Sequence, residues 1–495
     1  MENHNLNTLL NPWILNAPHC ALQSIKLDSR KVTPGDLFVA IKGHDNDGRL
    51  FISQAIANGA VAVIAETHIT SNNGQIIERH GIPIIYLTEL PSHLSVLSGR
   101  FYHHPSDKMT VIGVTGTNGK TTITHLIAQW VSLVDQRSAI MGTNGNGLYG
   151  KLVHTTNTTS SAIDIQKFLV TCLEKTVNLV AIEVSSHGLI QHRVAALNFS
   201  AAIFTNLSHD HLDYHGNISC YEDAKWLLFS THKTQKIIIN ADDAIGKKWL
   251  LKLPNAVAVT INNQYPIKNH KEWLNATKIK YNKNGISVNF ESIWGSGYIK
   301  SSLIGSFNIS NLLISLATLL SLSYPLDKLI KTASQLQPPF GRMEIFKGIN
   351  QPKIIVDYAH TPDALQQALI ALRSHCQGQL WCIFGCGGNR DIHKRALMGA
   401  IVEKLSDVII ITNDNPRNEN PKKIIQDILS GFVYKKRAKV IMNRVEAISY
   451  AVITAQKKDT ILLAGKGSEN YQIIGTNNFS YSDRHIVASL VGVKA

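Results

Sequence analysis

The stretch Gly116-Thr117-Asn118-Gly119-Lys120-Thr121-Thr122 constrains this chain more than any other. It follows the apolar run Met109 to Val114. It opens onto Ile123, Leu126, Ile127, Trp130, Val131 and Val134, spaced as one face of a helix. A buried strand running through a glycine loop into an amphipathic helix is a phosphate-binding unit of a parallel α/β sheet. Gly116 and Gly119 let backbone N–H groups approach phosphate oxygens, Lys120 can reach the terminal phosphates, and the Thr121 hydroxyl can ligate Mg²⁺. The general pattern would put a glycine at position 114, where this chain has Val114. A turn that merely caps a helix would explain the glycines but not Lys120-Thr121 in the right register. Binding of a nucleoside triphosphate is therefore expected.

A chain of 495 residues has room for about three such units at roughly 150 residues each. Short apolar runs such as Val61 to Ala65 and Ile82 to Leu87 give a small α/β domain over residues 1–107. Buried strands at Leu179 to Val184, Ala201 to Thr205 and Ile237 to Asn240 belong with the phosphate loop in a parallel-sheet domain over 108–338. After Gln337-Pro338-Pro339, strand-loop-helix units at Ile354 to Asp357, Trp381 to Gly385, Val408 to Thr412 and Ile461 to Ala464 predict a doubly wound domain over 339–495. Leu312 to Leu322 is too short to span a bilayer and reads as a buried helix. No signal peptide is visible, and no cysteine pair has zinc-ribbon or C-x-x-C spacing. The six cysteines are expected to be reduced in a cytoplasmic protein. With 44% hydrophobic and 17% charged residues the composition is globular, which excludes disordered and collagen-like classes. The net charge of +14 favours anionic partners without choosing among them. No interleaved basic and aromatic motif supports nucleic acid.

Three further features carry chemistry. Glu183, at the end of its strand, can hold magnesium beside the phosphate loop, although a solvated strand-end acid fits as well. The segment His209-Asp210-His211-Leu212-Asp213-Tyr214-His215 hints at a metallohydrolase, but such a signature needs a histidine where Tyr214 stands. Lys225, in a helix expected from Tyr221 to Phe229, would ordinarily be a solvated lysine.

Together, the GTNGKTT loop, Glu183, the DHLDYHG segment, Lys225, Gly305-Ser306-Phe307-Asn308, Phe340-Gly341-Arg342 and Asp414-Asn415-Pro416-Arg417 resemble the Mur ligase family over essentially the whole chain. The resemblance implies a UDP-binding first domain, a central ATPase domain and a Rossmann-like third domain that brings an amino acid. It implies ATP-dependent joining of meso-diaminopimelate to UDP-N-acetylmuramoyl-L-alanyl-D-glutamate through an acyl phosphate, in peptidoglycan precursor synthesis, by a monomer without stable membrane insertion. The lysine matching Lys225 is carbamylated in that family, giving a carboxylate-like magnesium ligand. Thr121, Glu183 and His211 match the other metal-site residues. Asn308, Arg342, Asp357 and His360 match nucleotide contacts. Leu27, Ser29, His44, Asn157, Thr158, Thr159, Ser185, Gln191 and Arg193 match contacts of the UDP-sugar dipeptide. Arg390, Asp414, Asn415, Pro416, Arg417, Gly465 and Glu469 match the amino-acid pocket. There a guanidinium at Arg417 can pair with the second carboxylate that meso-diaminopimelate has and L-lysine lacks. Two residues depart from the pattern: Ser468 replaces the histidine of a G-K-G-H-E stretch, and Asn389 stands for a common aspartate. An L-lysine-adding ligase, a folylpolyglutamate synthase-type ligase and, more remotely, a metal-dependent hydrolase are the alternatives.

Overall fold

The computed structural model describes residues 4–493 apart from 44–45, 156, 263–266 and 283–284. The chain forms three large sheets in sequence order. The first has the strand order Ser24–Lys26, Asp36–Ala40, Ala62–Thr67, Ile82–Thr88, Ile76–Arg79, parallel except for the last pair. The helix Leu90–Phe101 covers one face through Leu90, Leu94 and Leu97.

The central sheet is built around the phosphate-loop strand Thr110–Thr115. Its neighbours are Leu179–Glu183 and Phe199–Phe204, with Ser138–Gly142, Thr234–Asn240, Val257–Thr260 and Glu272–Asn282 extending the parallel array outward. The inner strands Thr110–Thr115, Leu179–Glu183 and Phe199–Phe204 are buried on both faces because both faces are covered. Ile112 and Val114 pack into the core under the helices Lys120–Leu133 and Ser306–Ser321. Val111 points to the opposite core, under Ala162–Glu174 and Ile218–Ser230. Gly113 interrupts the run because the Phe199 ring occupies the space a side chain would need, with Cε1 2.8 Å from an ideal Cβ.

This sheet also carries antiparallel additions that the sequence analysis does not anticipate. Gly145–Leu148 and Lys151–Val153 extend one edge, and Gly285–Ser292 and Gly295–Ser301 the other. Their mixed polar and apolar residues bury one face only, so they lack the continuous apolar signature of the central strands.

The third sheet runs Glu344–Phe346, Lys353–Asp357, Thr460–Ala464, Leu380–Phe384, Val408–Ile411, Ala438–Val440, with only the first strand antiparallel. Each expected strand of this domain differs from its observed span by at most one residue. The loops after Asp357, Phe384, Ile411 and Ala464 therefore emerge together at the C-terminal edge, where such sheets bind ligands. The expected helix at Leu312 to Leu322 falls, up to its cap residue Leu322, within Ser306–Ser321, and no helix among the described residues is long and apolar enough to cross a membrane. All six cysteines are unpaired.

Candidate active site

The phosphate loop is held open by packing against its glycines. Gly116 has φ +144° and lies so close to the Thr205 hydroxyl that no Cβ could fit. Gly119 has φ +89°, and a Cβ there would come 2.6 Å from Asn311 Oδ1. The Asn118 N–H donates to Asn206 Oδ1 at 2.9 Å and the Thr117 N–H to the Asn206 carbonyl at 2.8 Å, so the next strand's loop fixes the turn. The Lys120 ammonium lies back over the loop and donates to the carbonyls of Gly116 and Thr117, both at 2.8 Å. Burial lowers its pKa, against the pull of Glu183 and Asp210. Thr122 is buried behind the loop.

Thr121 is the hub of this end. Its hydroxyl donates to Glu183 Oε2 at 3.0 Å and accepts from Arg342 Nη2 at 3.1 Å. Glu183 is 1% exposed and also accepts from Thr143 N–H at 2.9 Å and Thr143 Oγ1 at 3.2 Å. The reading of Glu183 as a solvated strand-end acid therefore fails, because its carboxylate is engaged inside the site. A hydroxyl beside a buried carboxylate is a hard-oxygen donor pair suited to Mg²⁺. The Arg342 guanidinium stacks 4.3 Å over the Tyr358 ring, and its Nε has no partner.

Lys225 lies in the helix Ile218–Ser230, longer at its start than expected, and is not solvated. It is 1% exposed, donates to the Gly116 carbonyl at 2.8 Å and lies 4.2 Å over the Tyr221 ring. Desolvation, then the nearby Lys120 ammonium, push its pKa well below the usual lysine value. Two ammonium groups thus converge on one carbonyl oxygen. His211 sits at the mouth, with Nε2 3.4 Å from Asp210 Oδ2 and its ring 5.1 Å from that of His187. Burial pushes its pKa down to about 4. No group of three His, Cys, Asp or Glu side chains is gathered among the described residues.

The remaining nucleotide matches sit on the domain junction. Asp357 is filled by backbone donors, Met343 N–H at 2.7 Å and Ala359 N–H at 3.0 Å, and burial raises its pKa. It fixes the turn that carries Arg342. His360 Nδ1 meets the Tyr358 carbonyl at 2.8 Å. Asn308 is buried in its helix, with Nδ2 on the Ile304 carbonyl at 2.8 Å and Oδ1 accepting from Asn311. Its side chain is committed to the helix start that supports Gly119.

A cleft of about 1830 Å³ lies between the central and third domains, large against the roughly 300–1,000 Å³ of a single-ligand pocket. Asn157, Thr158, Thr159, Ser185, Arg193 and His211 line one wall, and Arg390, Asp414, Asn415, Arg417, Gly465 and Glu469 the other. Arg193 donates to the Thr159 carbonyl at 2.6 Å and to Gln191 Oε1. The Thr159 hydroxyl donates to the Glu183 carbonyl at 2.8 Å and accepts from Ser185 N–H. Leu27 and Ser29 lie apart, in a cleft of about 380 Å³ on the first domain. His44 lies outside the described residues.

On the third-domain wall, Gly388 packs against the Pro416 carbonyl so tightly that a Cβ would collide with it. Arg417, at φ +51°, donates from Nη1 to the Gly388 carbonyl at 2.9 Å. Burial and the Arg390 charge lower the Arg417 pKa. Asn415 Nδ2 donates to Glu469 Oε2 at 3.0 Å, and the fully buried Lys466 ammonium donates to Asn415 Oδ1 at 3.0 Å and Glu469 Oε2 at 2.9 Å. Lys466 stands inside the G-K-G-S-E stretch, where only its burial in the fold distinguishes it from a solvated loop lysine. Asp210, visible only as one acid in a histidine-rich run, lines the same cleft as Lys394, which has no sequence signal at all and donates to the His360 carbonyl at 3.1 Å.

Three family models match the chain: "Mur ligase family, catalytic domain" over 21–102, "Mur ligase middle domain" over 114–319 and "Mur ligase, glutamate ligase domain" over 341–467. A solved UDP-N-acetylmuramoyl-L-alanyl-D-glutamate–2,6-diaminopimelate ligase is 32% identical, with 99% of each chain covered and a TM-score of 0.69. MurF from Acinetobacter baumannii shares the fold at 18% identity, covering 94% of this chain and 96% of that one, with a TM-score of 0.67. A Mycobacterium tuberculosis folylpolyglutamate synthase complexed with ADP and AMPPCP does so at 16%, over 76% and 92%, with a TM-score of 0.62.

Proposed function

Because the chain belongs to the Mur ligase family, we propose that its cleft joins meso-diaminopimelate to UDP-N-acetylmuramoyl-L-alanyl-D-glutamate at the expense of ATP. The chain is an ATP-dependent ligase of peptidoglycan precursor synthesis. The observation that carries the assignment to this cleft is its two-sided lining. Hydroxyls, amides and Arg193 face the basic and acidic side chains of the amino-acid loops across one space.

In this reading a carboxylate oxygen of the D-glutamyl residue attacks the γ-phosphorus and ADP leaves. The amine of the amino acid then attacks the acyl carbon, and phosphate departs as the amine loses its proton. The N–H groups of Gly116 to Thr122 and the Lys120 ammonium hold the phosphates in line and spread their charge. Arg193 and Ser185 orient the dipeptide end, Leu27 and Ser29 with their small cleft grip the UDP end, and the third-domain wall presents the amine. Closing the walls excludes water that would otherwise hydrolyse the acyl phosphate.

Mg²⁺ fits the Thr121 and Glu183 donor pair, and when bound it supplies Lewis-acid neutralisation of phosphate charge. His211 and a carbamylated Lys225 would complete its shell. The convergence of Lys120 and Lys225 on one carbonyl supports the carbamate, because a second ammonium there is repelled, whereas the neutral Lys225 amine can add CO₂ and release one proton to solvent, leaving an anion beside Lys120. A cytoplasmic location accords with six unpaired thiols, and a single chain supplies both cleft walls, which suits a monomer. The test is phosphate release with the UDP-sugar dipeptide, ATP and a panel of amino acids. Release with meso-diaminopimelate is expected, release only with L-lysine would assign the chain to the lysine-adding ligases, and release only when a folate replaces the dipeptide and L-glutamate is the amino acid would assign it to the folylpolyglutamate synthase type.

A further inference from the structure

Ser468 is the residue at which the chain departs from the G-K-G-H-E pattern, and it sits at the centre of a closed ring of contacts between two domains. Its hydroxyl donates to Asn144 Oδ1 at 2.7 Å, across 324 positions of sequence. Asn144 Nδ2 in turn donates to the Phe340 carbonyl at 3.0 Å. The next residue, Gly341, packs so closely on the Gly467-Ser468 backbone that a Cβ could not fit, and Arg342 reaches the Thr121 hydroxyl. Thr121 meets Glu183, and Glu183 accepts from both donors of Thr143, the neighbour of Asn144. The ring thus passes from the phosphate loop through Arg342, Ser468 and Asn144 back to the carboxylate beside that loop. Glu469 follows Ser468 directly and its carboxylate is held within the third domain by Asn415 and Lys466, so the ring ties the loop that carries this cluster to the phosphate end.

We propose that Asn144 and Ser468 are positioning residues that latch the amino-acid loop to the phosphate end, so that the loop carrying Glu469 is docked against the cleft only when the central domain's Thr143-Asn144 turn is in place on Glu183. Neither side chain touches a reacting atom. Their effect falls on recognition of the incoming amine and leaves phosphate binding alone. A histidine at 468 would place its ring nitrogens farther from the backbone, so the short hydroxyl and the amide of Asn144 form a matched pair.

The inference rests on the ligase reading above, and the assay separates the two. Phosphate release is measured for wild type, Ser468→Ala, Asn144→Ala, the double variant and Ser468→Thr, varying meso-diaminopimelate and ATP in turn, with melting temperatures recorded for each. Loss of one neutral hydrogen bond predicts a KM for the amino acid raised about fivefold in Ser468→Ala, with the KM for ATP changed less than about twofold. The double variant should match Asn144→Ala because both remove the same bond, and Ser468→Thr should restore the wild-type KM. Effects that multiply in the double variant, an unmoved amino-acid KM, or equal rises for ATP and amino acid would each overturn the latch. A wild-type protein that releases no phosphate on addition of any amino acid would instead overturn the ligase reading. Should Asn144→Ala fail to fold, Ser468→Ala and Ser468→Thr, confined to a half-buried hydroxyl, still decide the question.

Discussion

Lys225 shows how a residue's neighbours reverse its ordinary meaning. A lysine on a helix is normally solvated, yet this one is buried beside a second ammonium and a carbonyl. Lys225→Ala is expected to reduce turnover by at least about a hundredfold, the scale of a lost charge-stabilising group. Activity should return in part with added short-chain carboxylates that enter the vacated space. Turnover measured with and without such an acid checks this, and an active alanine variant would remove Lys225 from the site. Arg417 is the residue proposed to set the choice of amino acid. One nitrogen is anchored on the Gly388 carbonyl, leaving the rest of the fork for a carboxylate. Arg417→Ala should lower kcat/KM for meso-diaminopimelate by at least about tenfold, equivalent to about 1.4 kcal/mol, and narrow the preference over L-lysine. Alanine is the right probe because glycine would also relieve the positive φ of +51°. Competition between the two amino acids decides it, and an unchanged ratio would exclude Arg417 from selection.

Among the elements, the helix His393–Leu405 pins the amino-acid wall from behind. Its Arg395, fully buried, donates to both oxygens of Glu419 at 2.6 and 2.7 Å, to Asp427 at 2.8 Å and to the Gly387 carbonyl at 3.1 Å. The Arg395 guanidinium holds the Glu419 pKa down at about 2, helped by the Asn389 N–H. A carboxylate whose folded pKa lies below its unfolded value of about 4.3 stabilises the fold above that value, and the contribution disappears as pH falls towards 2. Glu419→Gln should therefore cost about 2 kcal/mol near pH 7, the scale of a hydrogen bond to a charged group. The gap in denaturant midpoints from wild type should narrow as the pH falls from about 4.3 towards 2, and a constant gap would refute the pairing. At this scale the sequence is informative where chemistry is local. The phosphate loop and its helix are adjacent in the chain, and the third-domain strands are continuous apolar runs. The ring through Asn144 and Ser468, the Lys394 contact and the pairing of Lys225 with Gly116 are made by residues far apart in sequence. Nothing in a lone asparagine or lysine announces its eventual neighbour. The antiparallel edges are not legible in the sequence because one-sided burial leaves a weak signal.

At the scale of the whole molecule, the third domain meets the central one around the cleft through polar contacts such as Asn118 Nδ2 to Asp363 Oδ2 at 3.3 Å, Arg342 to Thr121 and Ser468 to Asn144. Contacts of this kind are individually small in net energy, so bound ligands should govern how the domains stand. Small-angle scattering is expected to show a smaller radius of gyration with a non-hydrolysable ATP analogue and the UDP-sugar dipeptide together than without ligand. An identical profile in both conditions would mean a rigid assembly. The phosphate loop also bears on how the chain could escape an inhibitor. Recognition there falls largely to backbone amides, and the glycines that present them are walled in by Thr205 and Asn311, so a substitution that repelled a phosphate mimic would also break the loop. In the proposed reading the opposite wall would recognise its substrate through side chains such as Glu469, whose carboxylate bonds to the side chains of Asn415 and Lys466 rather than to a backbone turn. Resistance should therefore arise readily against compounds that imitate the amino acid and rarely against those that imitate the phosphates.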